Sequence, residues 1–447
     1  MTKGNLFVQI LAFSLPLMAS QILQLLFNAA DIVIVGKYAG DTAMAAVSST
    51  VSIINLIVNF FIGLSVGSNV ATARNIGAGK KDRIVKVVHT SVWMSLFFGV
   101  MVALIGFIAA RPMLVWMDSP IDVIGMSTLY LQIYFLGAPF NLFYNFGAAL
   151  LRSKGDTKRP LYFLLIAGVL NTALNFVLVA WFNMSVAGVA IATIFSQFVS
   201  AVLIGLYLLN DEGYLHVDIR QIAFDKESFM EIITVGLPSG LRSVAFSISN
   251  VLIQSSINSF GSVVMAGSGA AGNIEGFVWQ IMNAFTQATQ AFVSQCYGAY
   301  NYKRMMRVVF VSMFYVVLFG FASGYSAWYF GNYLIKIYAS APEAIAAGVL
   351  RLSYTSKWYF TCGILDIMSG TLSSTGKPAF AFVGVFLGCC VFRIIYILTV
   401  FKAFPIVENV YITYPLSWVI TPIVYVIVLF FHLPKVKKIC EENAVVA

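Results

Sequence analysis

The chain has 447 residues, 60% of them hydrophobic and only 10% charged, with 27 Lys+Arg against 18 Asp+Glu and a net charge of +9. Soluble domains carry roughly 25% charged residues, so there is too little charge here to cover a water-facing surface. A soluble enzyme, a nucleic-acid-binding domain and a disordered scaffold are excluded, and a mean hydropathy of +0.88 points to lipid as the solvent.

Apolar runs long enough to cross a bilayer core as helices occur twelve times in chain order. They lie at about 6–36, 43–73, 87–110, 123–151, 160–182, 184–209, 229–260, 265–296, 308–330, 344–374, 378–401 and 409–433. They are continuous rather than alternating, which predicts helices and not barrel strands. The first run is longer than the apolar region of a cleavable leader, so no signal peptide is expected. Most basic residues gather on one side: Lys3, the 74–86 and 152–159 turns, Arg220, Lys226, Lys303, Arg304, Arg307, Lys377 and the tail lysines. The other side holds Lys37, Arg111, Lys336 and Lys402. The positive-inside rule makes the richer side, with both termini, cytoplasmic, which predicts a multi-pass protein of the inner (plasma) membrane. The basic turns are short and lack interleaved aromatics, so no nucleic-acid partner is expected. The five cysteines form no CxxC pair and read as small apolar core residues.

The chain repeats itself. Gly40 and Gly261, Met44 and Met265, Gly77 and Gly298, Arg83 and Arg304, Leu151 and Leu372, and Gly155 and Gly376 are all separated by the same 221 residues. Leu15-Pro16 returns as Leu237-Pro238, one residue out of step. Each copy holds six spans, an even number, so both enter the membrane from the same side. The expected fold is therefore an all-α integral membrane protein of twelve transmembrane helices, two six-helix lobes related by a parallel pseudo-twofold. The predicted boundaries are an N-lobe at 1–209, a cytoplasmic linker at 210–228, a C-lobe at 229–433 and a cytoplasmic tail at 434–447. Two matched lobes around a midplane cleft suit alternating access.

The patterns LP…NAADIVIVGKYAG (15–40), GAGKKDR (77–83), LRSKGDTKRP (151–160), LNTALNF (170–176) and VAGVAIATIFSQ (186–197) come in this order in the first lobe. VGLPSGL (235–241), AGNIEGFVWQIMNAF (271–285) and STGKP (374–378) follow in the second. With these motifs the sequence resembles the multidrug and toxic compound extrusion (MATE) family of efflux transporters across its whole length. The resemblance implies a bundle that exports organic, cationic or amphipathic compounds against H⁺ or Na⁺, as a monomer and without a cofactor.

A carboxylate at membrane depth is expensive and asks for a reason. Asp31 lies fifteen residues after Pro16 in span 1; the proline permits a bend, and a carboxylate there can change protonation with its surroundings. The resemblance places Asp31 at the family's coupling carboxylate, which would hold H⁺ or Na⁺, with Asn175, Tyr134 and Thr193 as neighbouring ligands and Pro16 as the hinge. The alternative is a salt-bridged structural anchor. Proton-coupled relatives often carry a second carboxylate four residues after that asparagine, where this chain has Val179. The sodium-coupled pattern of the second lobe is broken at Phe246 and Cys362, so no sodium site is carried over there.

In the second lobe Glu275 and Asp366 either attract a cationic substrate or neutralise Arg242 and Lys357, within a set that also holds Arg351 and Arg393. Trp279, Gln280 and Met282 follow Glu275 and supply the adaptable aromatic and sulfur surface that varied ligands need. GLSVG (63–67) imitates a nucleophile elbow but lies in an apolar helix, so Ser65 reads as a packing residue. GTLSSTGKP (370–378) lacks the spacing of a phosphate loop, and GSGAAG (267–272) reads as close helix packing. Two other functions compete with efflux. A lipid-linked saccharide flippase would carry more cavity charge and often extra spans; a lipid-modifying enzyme would need clustered histidines, whereas His89, His216 and His432 are scattered.

Overall fold

The computed structural model describes residues 1–117 and 119–444, and among these the chain is helical throughout, without strands. Twelve long helices follow in order: α1 (Leu6–Ala39), α2 (Asp41–Gly77), α3 (Lys81–Trp116), α4 in two segments (Ile121–Leu136 and Ala138–Lys154), α5 (Lys158–Trp181), α6 (Ser185–Leu209), α7 (Lys226–Asn258), α8 (Ser262–Gly298), α9 (Tyr302–Tyr329), α10 in two segments (Pro342–Thr355 and Tyr359–Ser374), α11 (Pro378–Phe401) and α12 (Val407–Asn443), with one short helical turn, Gly331–Ile335, between α9 and α10. Among the described residues nine of these are apolar and long enough on their own to cross a membrane, and the two segments of α4, bent by 48°, make a tenth. Pro139 at the start of the second segment explains that bend, because it cannot donate back to the first. The other two helices are α8 and α10, the ones that carry Glu275, Arg351, Lys357 and Asp366. The last helix runs on through most of the predicted tail 434–447, of which 445–447 lie outside the described residues.

The 221-residue repeat holds in the backbone. Gly40 (φ 87°) and Gly261 (φ 91°) make the same left-handed turn into α2 and α8, and Gly155 (φ 104°) and Gly376 (φ 94°) end α4 and α10 alike. Gly79 (φ 68°) is matched by Tyr300 (φ 53°), where a side chain accepts a conformation that favours glycine. Even a wide, π-type turn at Phe176–Trp181 in α5 returns at Ile397–Phe401 in α11.

Packing divides the chain into two compact units, residues 19–236 and residues 1–18 with 237–447. The divisions fall inside α1 and α7, beside Pro16 and Pro238, and not at the 210–228 loop. In one unit the first turns of α1 bury Leu6, Ile10, Phe13 and Leu17 against Phe285, Phe292 and Met305. Arg304, at the start of α9, secures them by donating to the carbonyls of Met1 (2.8 Å) and Gly4 (3.1 Å) and to Gln9 Oε1 (3.2 Å). In the other unit its repeat partner Arg83 holds the start of α7 through Glu227 (2.6 Å) and Glu231 (3.2 Å). Glycines allow close crossings. A Cβ on Gly236 of α7 would reach 2.5 Å from the Leu64 carbonyl of α2, and one on Gly348 of α10 would reach 2.8 Å from the Gly267 carbonyl of α8. Ser65 is buried and donates to the Ile62 carbonyl (2.7 Å), as a packing residue does.

Candidate functional site

In the first unit a ladder of neutral polar groups joins α1, α5 and α6. Asn175 is the last residue before the wide turn of α5 and is fully buried. Its Nδ2 donates to Asp31 Oδ1 at 2.5 Å and more weakly to Asn171 Oδ1 at 3.4 Å. Asn171, one helical turn earlier, donates to Thr193 Oγ1 at 3.5 Å, and Thr193 donates to the Val189 carbonyl of its own helix. Asp31 is half-buried and forms no ion pair among the described residues. The Oδ1 atom of Asn175 is buried without a hydrogen-bond partner. The arrangement therefore sets one carboxylate among neutral donors, with an acceptor oxygen left over beside it.

Of the four residues predicted to form the coupling site, the structure links Asp31 and Asn175 directly and reaches Thr193 through Asn171. Tyr134 stands to one side: its ring stacks on Tyr130 at 6.2 Å and packs in the cluster that contains Val35 and Val179, with no hydrogen bond to Asp31. Val179 is itself buried, an apolar residue where a second carboxylate would have been. Asn171 was not singled out by sequence, although its i, i+4 spacing from Asn175 puts both amides on one helix face. Pro16 sits inside an unbroken α1.

The second unit treats its charges differently. Glu275 of α8 is buried and accepts from Arg351 at both oxygens, Nη2 at 2.7 Å and Nε at 3.2 Å, and also from the Thr355 hydroxyl. Asp366 accepts from Arg242 Nη1 at 3.0 Å, and the same nitrogen donates to Ser369 Oγ. Its partner is thus one of the two cations proposed from sequence. Glu275 departs from that proposal, because Arg351, one helix away, offers a bidentate fork. Lys357 instead lies over the Trp328 ring at 3.8 Å. Met282 is fully buried, with its sulfur in the groove beside Gly320 and Gly363, so it offers no surface to a ligand here. Trp279 is 39% exposed and Gln280 half-buried. Among the described residues no group of three His, Cys, Asp or Glu side chains could hold a metal ion.

The MatE family model matches the sequence twice, over residues 16–177 and 238–399, once in each repeat. The chain belongs to the MatE family. Curated relatives of this MatE chain include the probable multidrug resistance protein YpnP of Bacillus subtilis, 29% identical over 84% of each chain. The probable multidrug resistance protein NorM of Thermotoga maritima is 24% identical over 83% of this chain and 80% of its own. Among solved structures, a MOP superfamily transporter from Pyrococcus furiosus superposes with a TM-score of 0.92 at 21% identity, and an outward-facing MATE multidrug resistance transporter with 0.91 at 21%, each over 98% of both chains. The fold is thereby that of the family: all-α, twelve transmembrane helices in two six-helix lobes. The protein is a multi-pass membrane transporter of the multidrug efflux family, not an enzyme, and such a transporter calls for no cofactor.

Proposed function

We propose that this MatE transporter exports small organic compounds, cationic or amphipathic, in exchange for H⁺ or Na⁺ moving inward, and that Asp31 holds the coupling ion. The observation that carries this reading is a carboxylate in a membrane-spanning helix with no ion-pair partner among the described residues, held by an asparagine whose own acceptor is unused. An intramembrane acid kept without a fixed cation is available to a mobile one. For Na⁺, the oxygens of Asp31, Asn175, Asn171 and Thr193 form the all-oxygen set that a hard cation prefers. For H⁺, a turn of the Asn175 amide presents its oxygen to the new carboxyl O–H.

Either ion changes what Asn175 has to bond, and so which arrangement of α1 against α5 is favoured. Pro16 removes one backbone hydrogen bond from α1 and lowers the cost of bending it. Exchange follows if ion and cargo prefer different arrangements. In this reading Tyr134 closes one side of the ion site. Trp279 and Gln280 offer the cargo an aromatic face, while Glu275 and Asp366 remain fixed partners of Arg351 and Arg242. The transporter acts as a monomer in the plasma membrane with both termini cytoplasmic, as the basic turns suggest.

The test is export of a panel of dyes from vesicles holding the purified chain, with pH and Na⁺ gradients imposed separately. Asp31→Asn is expected to reduce gradient-driven export to the background of empty vesicles while the protein still inserts and melts normally. Export by Asp31→Asn at the wild-type rate would reject the role of Asp31; insensitivity of the wild type to both gradients would reject coupling itself.

A further inference from the structure

The second unit holds more buried positive charge than its acids account for. Asp366 is taken by Arg242 and Glu275 by Arg351. Arg393 of α11, only 1% exposed, has no carboxylate among the described residues. Its Nε donates to Ser417 Oγ (2.9 Å), and its Nη1 to Asn250 Oδ1 (3.0 Å) and Ser249 Oγ (3.3 Å). Its Nη2 is buried and has no partner. The guanidinium lies 4.7 Å from the centre of the Tyr414 ring, and Arg351 lies 5.4 Å from the same centre. The ring of Trp418, 5.9 Å from that of Tyr414, carries a second buried N–H without an acceptor. Two guanidinium groups and two orphan donors thus share one aromatic ring, with the single carboxylate of Glu275 to balance them.

Hydroxyls and ring faces solvate a cation in part, but a buried charge is costly until an opposite charge joins it. Both orphan groups are donors, so what is lacking is an acceptor. The backbone is also unusual. Arg393 lies in a single helical turn, Phe392–Tyr396, between wide turns at Phe386–Val391 and Ile397–Phe401, a distortion frequent at functional sites. By the 221-residue repeat, Arg393 answers to Thr172, the neighbour of Asn171 in the Asp31 ladder, and Tyr414 answers to Thr193.

We propose that the second unit carries an anion site centred on Nη2 of Arg393, taking a compact anion: a halide, or the carboxylate or phosphate group of a larger molecule. The guanidinium, which lies beside the Tyr414 ring, supplies the charge. The site does not depend on the role given to Asp31.

The experiment is thermal unfolding of the full chain in detergent at constant ionic strength, titrating bromide, acetate or phosphate against a bulky sulfonate. Saturable stabilisation is expected from at least one anion. Arg393→Gln should weaken its apparent affinity about tenfold or more, since a charged hydrogen bond is lost, while Arg393→Lys keeps a weaker response and Asp31→Asn responds like wild type. Competition names the source: acetate or phosphate displacing bromide identifies an acid-group site, and bromide alone a halide site. No saturable response in the wild type, or an undiminished one in Arg393→Gln, overturns the proposal. Should Arg393→Gln fail to fold, wild-type crystals soaked in bromide or selenate decide the matter: an anomalous peak within hydrogen-bond distance of Nη2 supports the site, and its absence overturns it.

Discussion

Tyr130, Tyr134 and Thr193 in the first repeat stand 221 residues before Arg351, Thr355 and Tyr414 in the second. The same scaffold positions therefore carry neutral groups near Asp31 and a cation with its partners near Glu275. The acids themselves do not correspond: Asp31 is matched by Leu252, and Glu275 by Ile54. Duplication preserved the helices, the glycine turns and the wide turn of α5 and α11, and placed the charge afresh in each copy. One copy keeps its carboxylate unneutralised, as an exchangeable site requires; the other fixes its acids in ion pairs.

The two carboxylates should differ most in what they contribute to stability. Glu275→Gln leaves Arg351 buried without a counter-charge, and losing one partner of such a pair costs about 3–5 kcal/mol. Asp31→Asn removes a charge that no cation balances and keeps a side chain that can hydrogen-bond Asn175, so it is expected to change stability by less than about 1 kcal/mol. Denaturant unfolding in detergent measures both. Equal destabilisation by the two substitutions would mean that Asp31 is as structural as Glu275, and the contrast would collapse.

The residues differ in how far the sequence revealed them. Twelve spans, their number per repeat and the turns at Gly40, Gly155, Gly261 and Gly376 follow from apolar runs and one offset, because bilayer thickness dictates helix length and left-handed turns select glycine. Asp31 was legible as a costly carboxylate at depth, and Asn175 only through the family resemblance. The partner of Glu275 was not: Arg351 is 76 residues away in the chain, and only the packing of α8 on α10 selects it over Arg242 or Lys357. The burial of Met282 likewise depends on facing glycines at 320 and 363, invisible to a reading that takes each helix alone. Nor could composition show that the compact units exchange the first turns of α1 and α7.

Arg83 and Arg304 offer a finer comparison, since the same repeat position makes opposite kinds of bond. Arg83 pairs with carboxylates on the half-exposed surface, whereas Arg304 donates to carbonyl oxygens of the chain's own first turns. Alanine at either position is expected to cost about 1 kcal/mol. Only the loss at Arg83 should shrink with added salt, because screening weakens an exposed ion pair and leaves a bond to a carbonyl largely untouched. Melting temperatures at low and high ionic strength check this, and a salt-sensitive penalty at Arg304 would contradict the assignment.

The smallest effect lies at the loop after α6. Lys154 Nζ donates to Asp211 Oδ1 at 2.8 Å, and the Tyr207 hydroxyl donates to the same oxygen at 3.0 Å. The repeat turns these two positions into Thr375 and His432, joined by a bond of 3.0 Å in which no carboxylate takes part. Burial works against the Asp211 charge, but the Lys154 and Tyr207 bonds and the Leu215 N–H outweigh it and hold the carboxyl below its ordinary range. A group lowered in the folded state stabilises above its unfolded value, near about pH 4, and loses that contribution as the pH falls through the folded one. Asp211→Asn is therefore expected to cost about 1 kcal/mol at neutral pH and to flatten part of the decline in melting temperature on acidification. If Asp211→Asn and wild type decline in parallel between about pH 5 and 3, the charge of Asp211 contributes nothing that its neutral counterpart in the other repeat lacks.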